Sequence, residues 1–302
     1  MAQTTWTILE LIRWTDERFK KEGLSTPRLD AEVLLAETLR LDRVGLYTHF
    51  DQPLHRAELS LFKKMIQRRL KREPLAYIVG RKEFWSLEFK VTPAVLIPRP
   101  ETEILVAEAI KLLPARGEKQ ENLCILEIGT GSGAISIALA RELPFASIVA
   151  TDLSATALSI AEENAKQNEV QERIHFLLGD LFRPLEPGCR FDLVVTNPPY
   201  IPHDHFSSLE PEVRDYEPRI ALDGGKDGLD FFRRALPKVD SFLSPGGWVL
   251  AEIGAGQDQE VRRIAAKNSE LDSFDFVADL AGIKRVFKAR KRNSSHPSQA
   301  NL

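Results

Sequence analysis

The predicted fold is organised around one stretch of the sequence, Phe191-Asp192-Leu193-Val194-Val195-Thr196-Asn197-Pro198-Pro199-Tyr200. Its first part is apolar and contains β-branched residues, which is typical of a buried strand. The two prolines end that strand, because neither has an N–H group to donate to a sheet and each fixes φ at about −65°. We therefore predict a stiff loop at the carboxyl end of a strand, where open α/β sheets bind their ligands.

The groups in this loop suit a planar NH2 group. Asn197 offers a side-chain carbonyl acceptor, the Pro198 carbonyl lies outside any regular ladder, and Tyr200 supplies a flat aromatic face. The nitrogen of a carboxamide or a base amine is a poor nucleophile, so holding both of its N–H bonds would aim its lone pair at an electrophile. The same segment, with Pro199, also fits a plain turn between a strand and a helix, and these residues alone favour neither interpretation.

Length and composition indicate a globular protein of two domains. The chain has 302 residues, of which 43% are hydrophobic and 28% charged, and its net charge is −3. That charge argues against a whole-protein electrostatic grip on nucleic acid. The cysteines, Cys124 and Cys189, lack metal-ligand spacing, so we expect no metal site and a reducing compartment. The sequence has no signal peptide pattern and no apolar run of about 20 residues, so we expect a cytoplasmic protein without a membrane partner.

Residues 1–75 are predicted to form a helical domain, because apolar residues recur there at helical spacing. Its third helix is predicted over residues 56–72 and carries many basic side chains. One interpretation is a surface that faces nucleic acid or the ribosome; the apolar side of the helix favours the other, an ordinary solvated face. Residues 76–97 are predicted to be a β-hairpin linker, residues 98–289 the main α/β domain, and residues 290–302 a disordered tail.

A proline-rich segment, Ile97-Pro98-Arg99-Pro100-Glu101-Thr102-Glu103, precedes a helix predicted over residues 101–113. The prolines fix the chain before the helix, and the acidic residues suit its first turn. Arg99 and Glu101 either line the mouth of a site or belong to an ordinary helix start with an exposed arginine. Spacing alone favours the ordinary helix start.

A glycine-rich loop follows the strand predicted at residues 122–128. Gly129, Gly131 and Gly133 allow the backbone to approach a ligand closely, and the start of the next helix favours negative charge. Asp152 ends the next predicted strand, where an acidic residue can bond the ribose hydroxyls of a nucleoside cofactor. The strand before the loop, the helix after it and the acidic residue together favour nucleoside-cofactor binding over mere close packing.

The later part of the sequence supplies the remaining elements. Asp180 follows a strand predicted over residues 174–178 and is either a ligand of the cofactor or a turn former. Residues 201–228 are rich in turn formers, so we predict a long irregular segment that covers the target as a lid. Further predictions are a helix over 229–243, a turn at 245–247, a strand over 248–253, a helix over 257–267, and closing strands over 274–278 and 283–289, the last one antiparallel.

Together these motifs resemble the glutamine methyltransferases that modify peptide chain release factors, the PrmC or HemK family. The resemblance covers nearly the whole chain and rests on residues 96–103, 127–133, 197–200 and 281–285. Asn-Pro-Pro-Tyr by itself is shared with DNA adenine and rRNA guanine methyltransferases, but its combination with the proline-rich segment and a helical N-terminal domain is more specific. The resemblance implies a Rossmann-like class I methyltransferase fold, an α/β domain with a mostly parallel seven-stranded sheet whose last strand is antiparallel.

The resemblance also implies the activity, which is transfer of a methyl group from S-adenosyl-L-methionine to the glutamine nitrogen of the Gly-Gly-Gln loop of a release factor. The cofactor would leave as S-adenosyl-L-homocysteine. The cofactor-binding residues that it implies are Gly129, Thr130, Gly131, Ser132 and Gly133 for the methionine part, Asp152 for the ribose, Asp180 and Leu181 for the adenine, and Asn197. Some relatives carry an aromatic residue where this sequence has Leu181.

For the substrate, the resemblance implies that Asn197 and the Pro198 carbonyl accept the two amide N–H bonds, while Tyr200 packs on the amide plane beside Pro199. Three alternatives remain open. The protein could methylate a glutamine of a ribosomal protein, or an amine of a nucleic-acid base, or bind a nucleotide or RNA without catalysis. We expect release factors as partners, docked by the helical domain of residues 1–75, and no stable nucleic-acid partner.

Overall fold

The computed structural model describes residues 6–113 and 123–293. The chain divides into two compact units, of which the first comprises Met1–Arg81 with Glu210–Tyr216 and the second comprises Lys82–Leu209 with Glu217–Leu302. The first unit therefore extends beyond residue 75, and it includes a segment from late in the sequence that the sequence analysis did not connect with it. Most of the predicted hairpin linker belongs to the second unit.

The first unit is helical where the structure describes it. Its helices in the first 81 residues are α1 (Ile8–Lys21), α2 (Pro27–Leu39), α3 (Arg43–Thr48), α4 (Arg56–Leu70) and α5 (Leu75–Val79). Capping boxes start α1 at Thr7 and α4 at His55, in each case with a glutamate three residues later. Buried apolar side chains of these helices form one core, which includes Phe19, Leu34 and Phe62.

Two of these helices were not predicted. Helix α3 is a short helix capped by the side chain of Asp42, which accepts a hydrogen bond from the Gly45 amide. Helix α5 lies partly within the segment that the sequence predicts to be a β-hairpin linker, so that prediction is wrong for residues 76–79. Pro74 provides a favourable helix start, and Ile78 packs into the helical core, which overrides the weak β-propensity of the segment.

The second unit begins within a hairpin of β1 (Arg81–Phe84) and β2 (Leu87–Lys90), in which only Arg81 belongs to the first unit. Trp85 and Ser86 form its two-residue turn with φ of 54° and 56°, the left-handed conformation that a type I′ turn requires. Phe84 and Phe89 are buried in the same core as the sheet residues. This shared core explains why the hairpin belongs to the second unit.

A seven-stranded sheet forms the centre of the second unit, in the order β5-β4-β3-β6-β7-β9-β8. Its strands are β3 (Leu123–Ile128), β4 (Ala146–Asp152), β5 (Ile174–Leu178), β6 (Phe191–Thr196), β7 (Leu243–Glu252), β8 (Leu271–Ala278) and β9 (Lys284–Lys291). The helices are α6 (Thr102–Leu112), α7 (Ala134–Glu142), α8 (Ala155–Gln167), α10 (Asp230–Ala235) and α11 (Asp258–Ala265). Strands β3 to β7 pair in parallel and β9 is antiparallel to both neighbours, which confirms the predicted fold class.

The register of the parallel strands aligns their carboxyl ends. Ile128 pairs with Thr151 on one side and with Thr196 on the other, and Thr196 pairs with Ala251. The residues that follow these strands are therefore brought to one edge of the sheet. The glycine loop, Asp152 and the Asn-Pro-Pro-Tyr loop meet at this edge.

Several predicted boundaries are wrong. The turn predicted at residues 245–247 lies inside β7, where the strand register is irregular opposite residues 191–193. The helix predicted over 229–243 consists of α10 followed by a 3-10 turn at Val239–Phe242. Residues 290 and 291 belong to β9 and not to a tail, and the rest of the predicted tail from 294 onwards lies outside the described residues.

The segment predicted to be irregular, residues 201–228, is largely ordered. It contains 3-10 turns at His203–Ser208 and Arg219–Ala221 and the helix α9 (Pro211–Tyr216). A parallel bridge joins Ile201 to Asp223 and closes the segment at its base.

In the part of the chain that the structure describes, no helix has the length and apolar character needed to cross a membrane.

Helix α9 belongs to the first unit, where a buried arginine holds it. The Arg69 side chain contacts Asp30 Oδ2 at 2.7 Å and Glu212 Oε1 at 3.0 Å. The Tyr216 hydroxyl donates to the Lys71 carbonyl at 2.6 Å. These polar contacts explain why a segment from the middle of the second unit's sequence is part of the first unit.

Candidate active site

A cavity of about 470 Å³ lies at the carboxyl edge of the sheet in the second unit. Residues from the glycine loop and from the ends of β4, β5 and β6 line it, among them Glu127, Gly131, Asp152, Leu181, Asn197 and Pro198. Its volume falls in the range of small-molecule and cofactor sites. The motifs that the sequence analysis singled out separately therefore share one cavity.

The glycine loop is a tight turn held by the neighbouring strand. The Gly129 and Thr130 amides both donate to the Thr151 carbonyl, at 2.8 and 3.0 Å. Gly129 and Gly131 have φ of 74° and 56°, a conformation that disfavours other residues. Gly129, Thr130, Gly131 and Ser132 line the cavity, as expected for the loop.

Gly133 is not among the described residues that line the cavity. It precedes α7, and a Cβ atom added there would lie 2.9 Å from Ile137 Cδ1 and 3.2 Å from Ala161 Cβ. The role of this glycine in the structure is therefore close helix packing behind the loop.

Glu127 lies beneath the glycine loop and is fully buried. One oxygen, Oε2, accepts hydrogen bonds from Thr130 Oγ1 at 2.7 Å, from the Ser136 amide at 3.1 Å and from the Ser136 hydroxyl. The other oxygen, Oε1, is buried and has no partner among the described residues. Burial raises the pKa of this carboxyl to about 7, while the hydrogen bonds from Ser136 and Thr130 oppose the rise.

Asp152, at the end of β4, is held by backbone donors. Its Oδ2 accepts from the Gly131 amide at 2.8 Å, and its Oδ1 accepts from the Ser154 amide at 2.9 Å. Each oxygen keeps a second lone pair, and the residue lines the cavity. The carboxylate is thereby fixed in orientation and can still accept a hydrogen bond from a ligand.

Asp180 and Leu181 line the cavity from the loop after β5. Asp180 is paired with the Arg234 guanidinium, and Arg234 also lines the cavity. Leu181 has a φ of 52°, which is uncommon for a residue other than glycine. The loop therefore presents an apolar side chain beside a charge pair, and the sequence analysis did not anticipate Arg234.

Asn197 and Pro198 provide two free acceptors at the cavity. The Asn197 Nδ2 atom donates to Thr102 Oγ1 at 3.0 Å. Among the described residues, no donor bonds to Asn197 Oδ1 or to the Pro198 carbonyl oxygen. Pro199 also lines the cavity.

Tyr200 is part of the same loop, but it is not among the described residues that line the cavity. Its hydroxyl donates to Glu252 Oε1 at 3.1 Å, and its carbonyl accepts from Gln257 Nε2 at 3.0 Å. A Cβ atom on Gly228 would lie 2.2 Å from that carbonyl oxygen, so only glycine allows this approach. Burial and the neighbouring Glu252 raise the pKa of the Tyr200 hydroxyl, which keeps it protonated.

Of the two doubtful residues in the proline-rich segment, Arg99 lines the cavity and Glu101 does not. The Arg99 guanidinium pairs with the buried Glu217, which also accepts a hydrogen bond from the Ile97 amide at 3.2 Å. Glu101 is exposed. Next to it, Thr102 is buried and accepts a hydrogen bond from Asn197 of the Asn-Pro-Pro-Tyr loop, although the sequence analysis gave this residue no role.

Comparison with known proteins shows which family this chain belongs to. A model of the PrmC N-terminal domain matches residues 10–80, and a methyltransferase small domain model matches residues 106–209. The release factor glutamine methyltransferase of Geobacter sulfurreducens is 45% identical over 285 residues, which is 94% of this chain and 97% of the relative. This chain belongs to the release factor glutamine methyltransferase family.

Other comparisons agree with that assignment. The release factor glutamine methyltransferase of Rhodopirellula baltica is 38% identical and covers 95% of this chain and 97% of its own length. A crystal structure of a methyltransferase from Pyrococcus furiosus has a TM-score of 0.52 at 18% identity, covering 75% of this chain and 98% of that one. This structural likeness shows the shared fold. As a family member, the protein is an S-adenosylmethionine-dependent methyltransferase.

The residues at the cavity fit S-adenosylmethionine. The Glu127 Oε1 atom is buried without a partner, as expected of an acceptor that awaits a cationic ligand such as an α-ammonium group. Asp152 has free lone pairs for hydroxyl donors. The described residues of the cavity therefore offer one acceptor that suits an ammonium group and one that suits hydroxyl groups.

The sequence analysis assigned no individual role to three residues of this region. Glu127 belongs to the motif of residues 127–133 that carries the resemblance, and its position at the end of a buried strand, just before the glycine loop, is a usable signal. Thr102 belongs to the motif of residues 96–103, in which only Arg99 and Glu101 were site candidates. Glu252 ends β7, and its position next to Asn197 depends on strand order, which local sequence does not reveal.

Proposed function

We propose that this protein methylates the side-chain amide nitrogen of a glutamine in a peptide chain release factor. The observation that carries the proposal is the pair of free acceptors, Asn197 Oδ1 and the Pro198 carbonyl, at a cavity that fits S-adenosylmethionine. A carboxamide NH2 group has two N–H donors in one plane, which two such acceptors match. The names of the relatives support a release factor as the protein that carries the glutamine.

The residues of the loop would act by orientation. With both N–H bonds of the substrate held, the amide nitrogen has its lone pair directed out of the plane and toward the methyl donor. S-adenosylmethionine supplies a methyl group on a positively charged sulfur. When the amide nitrogen attacks, the bond from sulfur to the methyl group would break and neutral S-adenosyl-L-homocysteine would leave. The positive charge would then lie on the methylated amide nitrogen, which is strongly acidic, so its proton can leave to water and no strong base is required beforehand.

The site residues divide between the two ligands. We assign the backbone around Gly131 and the carboxyl of Glu127 to the methionine part of the cofactor and Asp152 to its ribose. Asp180 and Leu181 are assigned to the adenine, although the pairing of Asp180 with Arg234 leaves fewer of its lone pairs for a ligand. Pro199 and Arg99 are assigned to the mouth of the substrate site.

The Tyr200 assignment needs a change of role. Its hydroxyl is committed to Glu252 and the residue does not line the cavity among the described residues, so we assign it to holding the loop. Contact of the ring with the amide plane would require a rotation of this side chain when the substrate binds.

The test is methyl transfer from isotopically labelled S-adenosylmethionine to purified release factors, followed by peptide mass mapping. We expect one methyl group on the glutamine of the Gly-Gly-Gln loop and none on a release factor in which that glutamine is replaced by glutamate. Parallel reactions contain ribosomal proteins and RNA. Methylation of one of these in preference to the release factor would overturn the proposal in favour of the corresponding alternative.

A further inference from the structure

Asn197 is the first member of a series of hydrogen bonds that begins at the cavity, which Thr102 also lines, and continues to the buried Glu252. Its Nδ2 atom donates to Thr102 Oγ1 at 3.0 Å, and Thr102 Oγ1 donates to Glu252 Oε2 at 2.7 Å. The second oxygen of Glu252 accepts from the Tyr200 hydroxyl at 3.1 Å. Thr102 and Glu252 are only 4% and 2% exposed, so water does not compete for these bonds.

The fold places these residues together through two separate elements. Thr196 pairs with Ala251 across β6 and β7, so the next residues on the two strands, Asn197 and Glu252, are neighbours. Thr102 is the first residue of α6, at the end of the proline-rich segment. The contact of Asn197 with Glu252 through Thr102 therefore depends on both the sheet register and the start of that helix.

The number of protons available for the hydrogen bonds among Asn197, Thr102 and Glu252 fixes the orientation of the Asn197 amide. A threonine hydroxyl has one proton, and here it is donated to Glu252. Thr102 Oγ1 can then only accept from Asn197, so Asn197 must turn its NH2 group toward Thr102. The opposite side of the Asn197 amide, the carbonyl oxygen, is left to accept an N–H bond of the substrate.

We propose that Thr102 and Glu252 are positioning residues that select the rotamer of Asn197 in which Oδ1 is available to the substrate amide. This inference rests on the proposed function, because it assumes that Asn197 Oδ1 accepts a substrate N–H bond. If the Thr102 proton were donated to Asn197 instead, the amide would turn over and present NH2 to the NH2 of the substrate. Two donors would then face each other, and the glutamine would not be held for transfer.

The charges around Glu252 are consistent with its role as an acceptor. Burial raises the pKa of this carboxyl, and the negative charge of Glu101 acts in the same direction. The hydrogen bonds from Thr102 and Tyr200 and the positive charge of Arg285 act in the opposite direction. The carboxylate form accepts at both oxygens, whereas an apolar residue at this position would leave the Thr102 proton without an acceptor.

The first part of the experiment replaces the threonine. Thr102→Val keeps the shape of the side chain but removes the acceptor for Asn197, and Thr102→Ser keeps the hydroxyl. We expect Thr102→Val to lower kcat for a release factor by about 10- to 100-fold while KM and the Kd of S-adenosylmethionine change by less than about threefold. Thr102→Ser should recover most of kcat. The matched control is Thr38→Val, in the first unit, which removes a buried hydroxyl that donates to the Leu34 carbonyl.

The second part tests whether Glu252 acts through Thr102. We expect Glu252→Met to lower kcat in the wild-type background and to have no further effect on kcat in the Thr102→Val background. A wild-type kcat for Thr102→Val would overturn the proposal, as would equal losses from Glu252→Met in both backgrounds. Calorimetric binding of S-adenosylmethionine shows that each variant is folded.

Asn197→Ala separates this inference from the proposed function. If Asn197→Ala retains wild-type turnover, the role of Asn197 fails and the positioning chain fails with it. If Asn197→Ala is inactive but Thr102→Val has wild-type kcat, the proposed function stands and only the positioning chain is refuted.

Discussion

The Asp152 carboxylate accepts a hydrogen bond from the backbone amide of Gly131 at 2.8 Å, which ties the end of β4 to the glycine loop. The same carboxylate accepts from the Ser154 amide at 2.9 Å. The glycine loop, which is expected to bind the cofactor, thus also holds the Asp152 side chain in place. Two variants separate its ligand contact from its structural contacts.

Asp152→Ala removes the proposed ribose acceptor together with the acceptor of two backbone amides. We expect the Kd of S-adenosylmethionine to rise by the equivalent of about 1–3 kcal/mol, because a charge-assisted hydrogen bond is lost. Asp152→Asn retains one acceptor oxygen and should lose less. Calorimetric titration measures both, and an unchanged Kd for Asp152→Ala would refute the ribose assignment.

Asn197→Ala removes the side chain that the proposed function places against the substrate amide. We expect methyl transfer to fall nearly to background, while the Kd of S-adenosylmethionine stays within a few fold, because Asp152 and Glu127 remain. The assay is transfer of the labelled methyl group, with calorimetry on the same preparation. A large loss of cofactor binding would place Asn197 mainly in the cofactor site.

The raised pKa of Glu127 has a defined effect on stability. The folded protein binds the proton more tightly than the unfolded chain, whose carboxyl has a pKa of about 4.5, so this group stabilises the fold fully below that pH. The contribution decreases as the pH rises to about 7, the pKa in the folded state, and is constant above it. Glu127→Gln, which has no such titration, should therefore gain stability relative to wild type between these two pH values.

Urea denaturation without cofactor checks this prediction. The difference in free energy of unfolding between Glu127→Gln and wild type should be more favourable to the variant at about pH 8 than at about pH 4.5, by up to a few kcal/mol. A difference that does not depend on pH would show that the carboxyl titrates normally. With S-adenosylmethionine present, the ionised carboxyl gains a cationic partner, and the wild-type protein should regain its stability at high pH.

Asn164 on α8 links the β-hairpin to the glycine loop. It is fully buried, its Nδ2 donates to the Ser132 and Lys90 carbonyls at 2.8 and 3.0 Å, and its Oδ1 accepts from the Lys90 amide at 2.7 Å. We expect Asn164→Ala to lower the free energy of unfolding by roughly 2–4 kcal/mol, because several buried backbone groups lose their partners.

The control for Asn164 is Asn168→Ala on the same helix. The Asn168 side chain bonds the Glu88 carbonyl at an exposed site, so its loss should cost less than about 1 kcal/mol. Thermal or urea unfolding compares the two variants. Equal losses in the free energy of unfolding for the two variants would mean that the buried hydrogen bond from Asn164 to the Ser132 carbonyl stabilises the fold no more than the exposed one does.

Arg69→Met tests the buried ion pairs of the first unit. Arg69 is 4% exposed and contacts both Asp30 and Glu212. We expect a loss of about 3–5 kcal/mol in the free energy of unfolding, because the buried Asp30 is left without its cation and Glu212 keeps only Arg72. Arg18→Met, which breaks an exposed pair with Glu22, serves as the control and should cost less than about 1 kcal/mol.

The local sequence predicted the elements whose signal is contained in a short segment. As predicted, Val194 and Val195 lie in a buried strand, Gly131 lies in a tight loop and Asp152 is the last residue of a strand. These features are predictable because runs of β-branched residues, glycines and prolines act on the backbone within a few residues. Helix α5 was missed because its packing outweighs its β-propensity. The partnership of Thr102 with Glu252 was missed because it joins residues far apart in sequence, and only the strand order brings them together.

The location of α9 has a practical consequence for experiments that cut or exchange parts of this protein. The chain leaves the first unit after Arg81, returns to it for Glu210–Tyr216 and leaves it again. Neither unit is therefore a continuous piece of the gene. Deletion of the first 75 residues would leave Glu210 and Glu212 without Arg72 and Arg69, so a loss of activity in that truncation would not by itself report on release factor docking. A chimera that exchanges the helical unit between relatives would have to exchange both pieces of sequence.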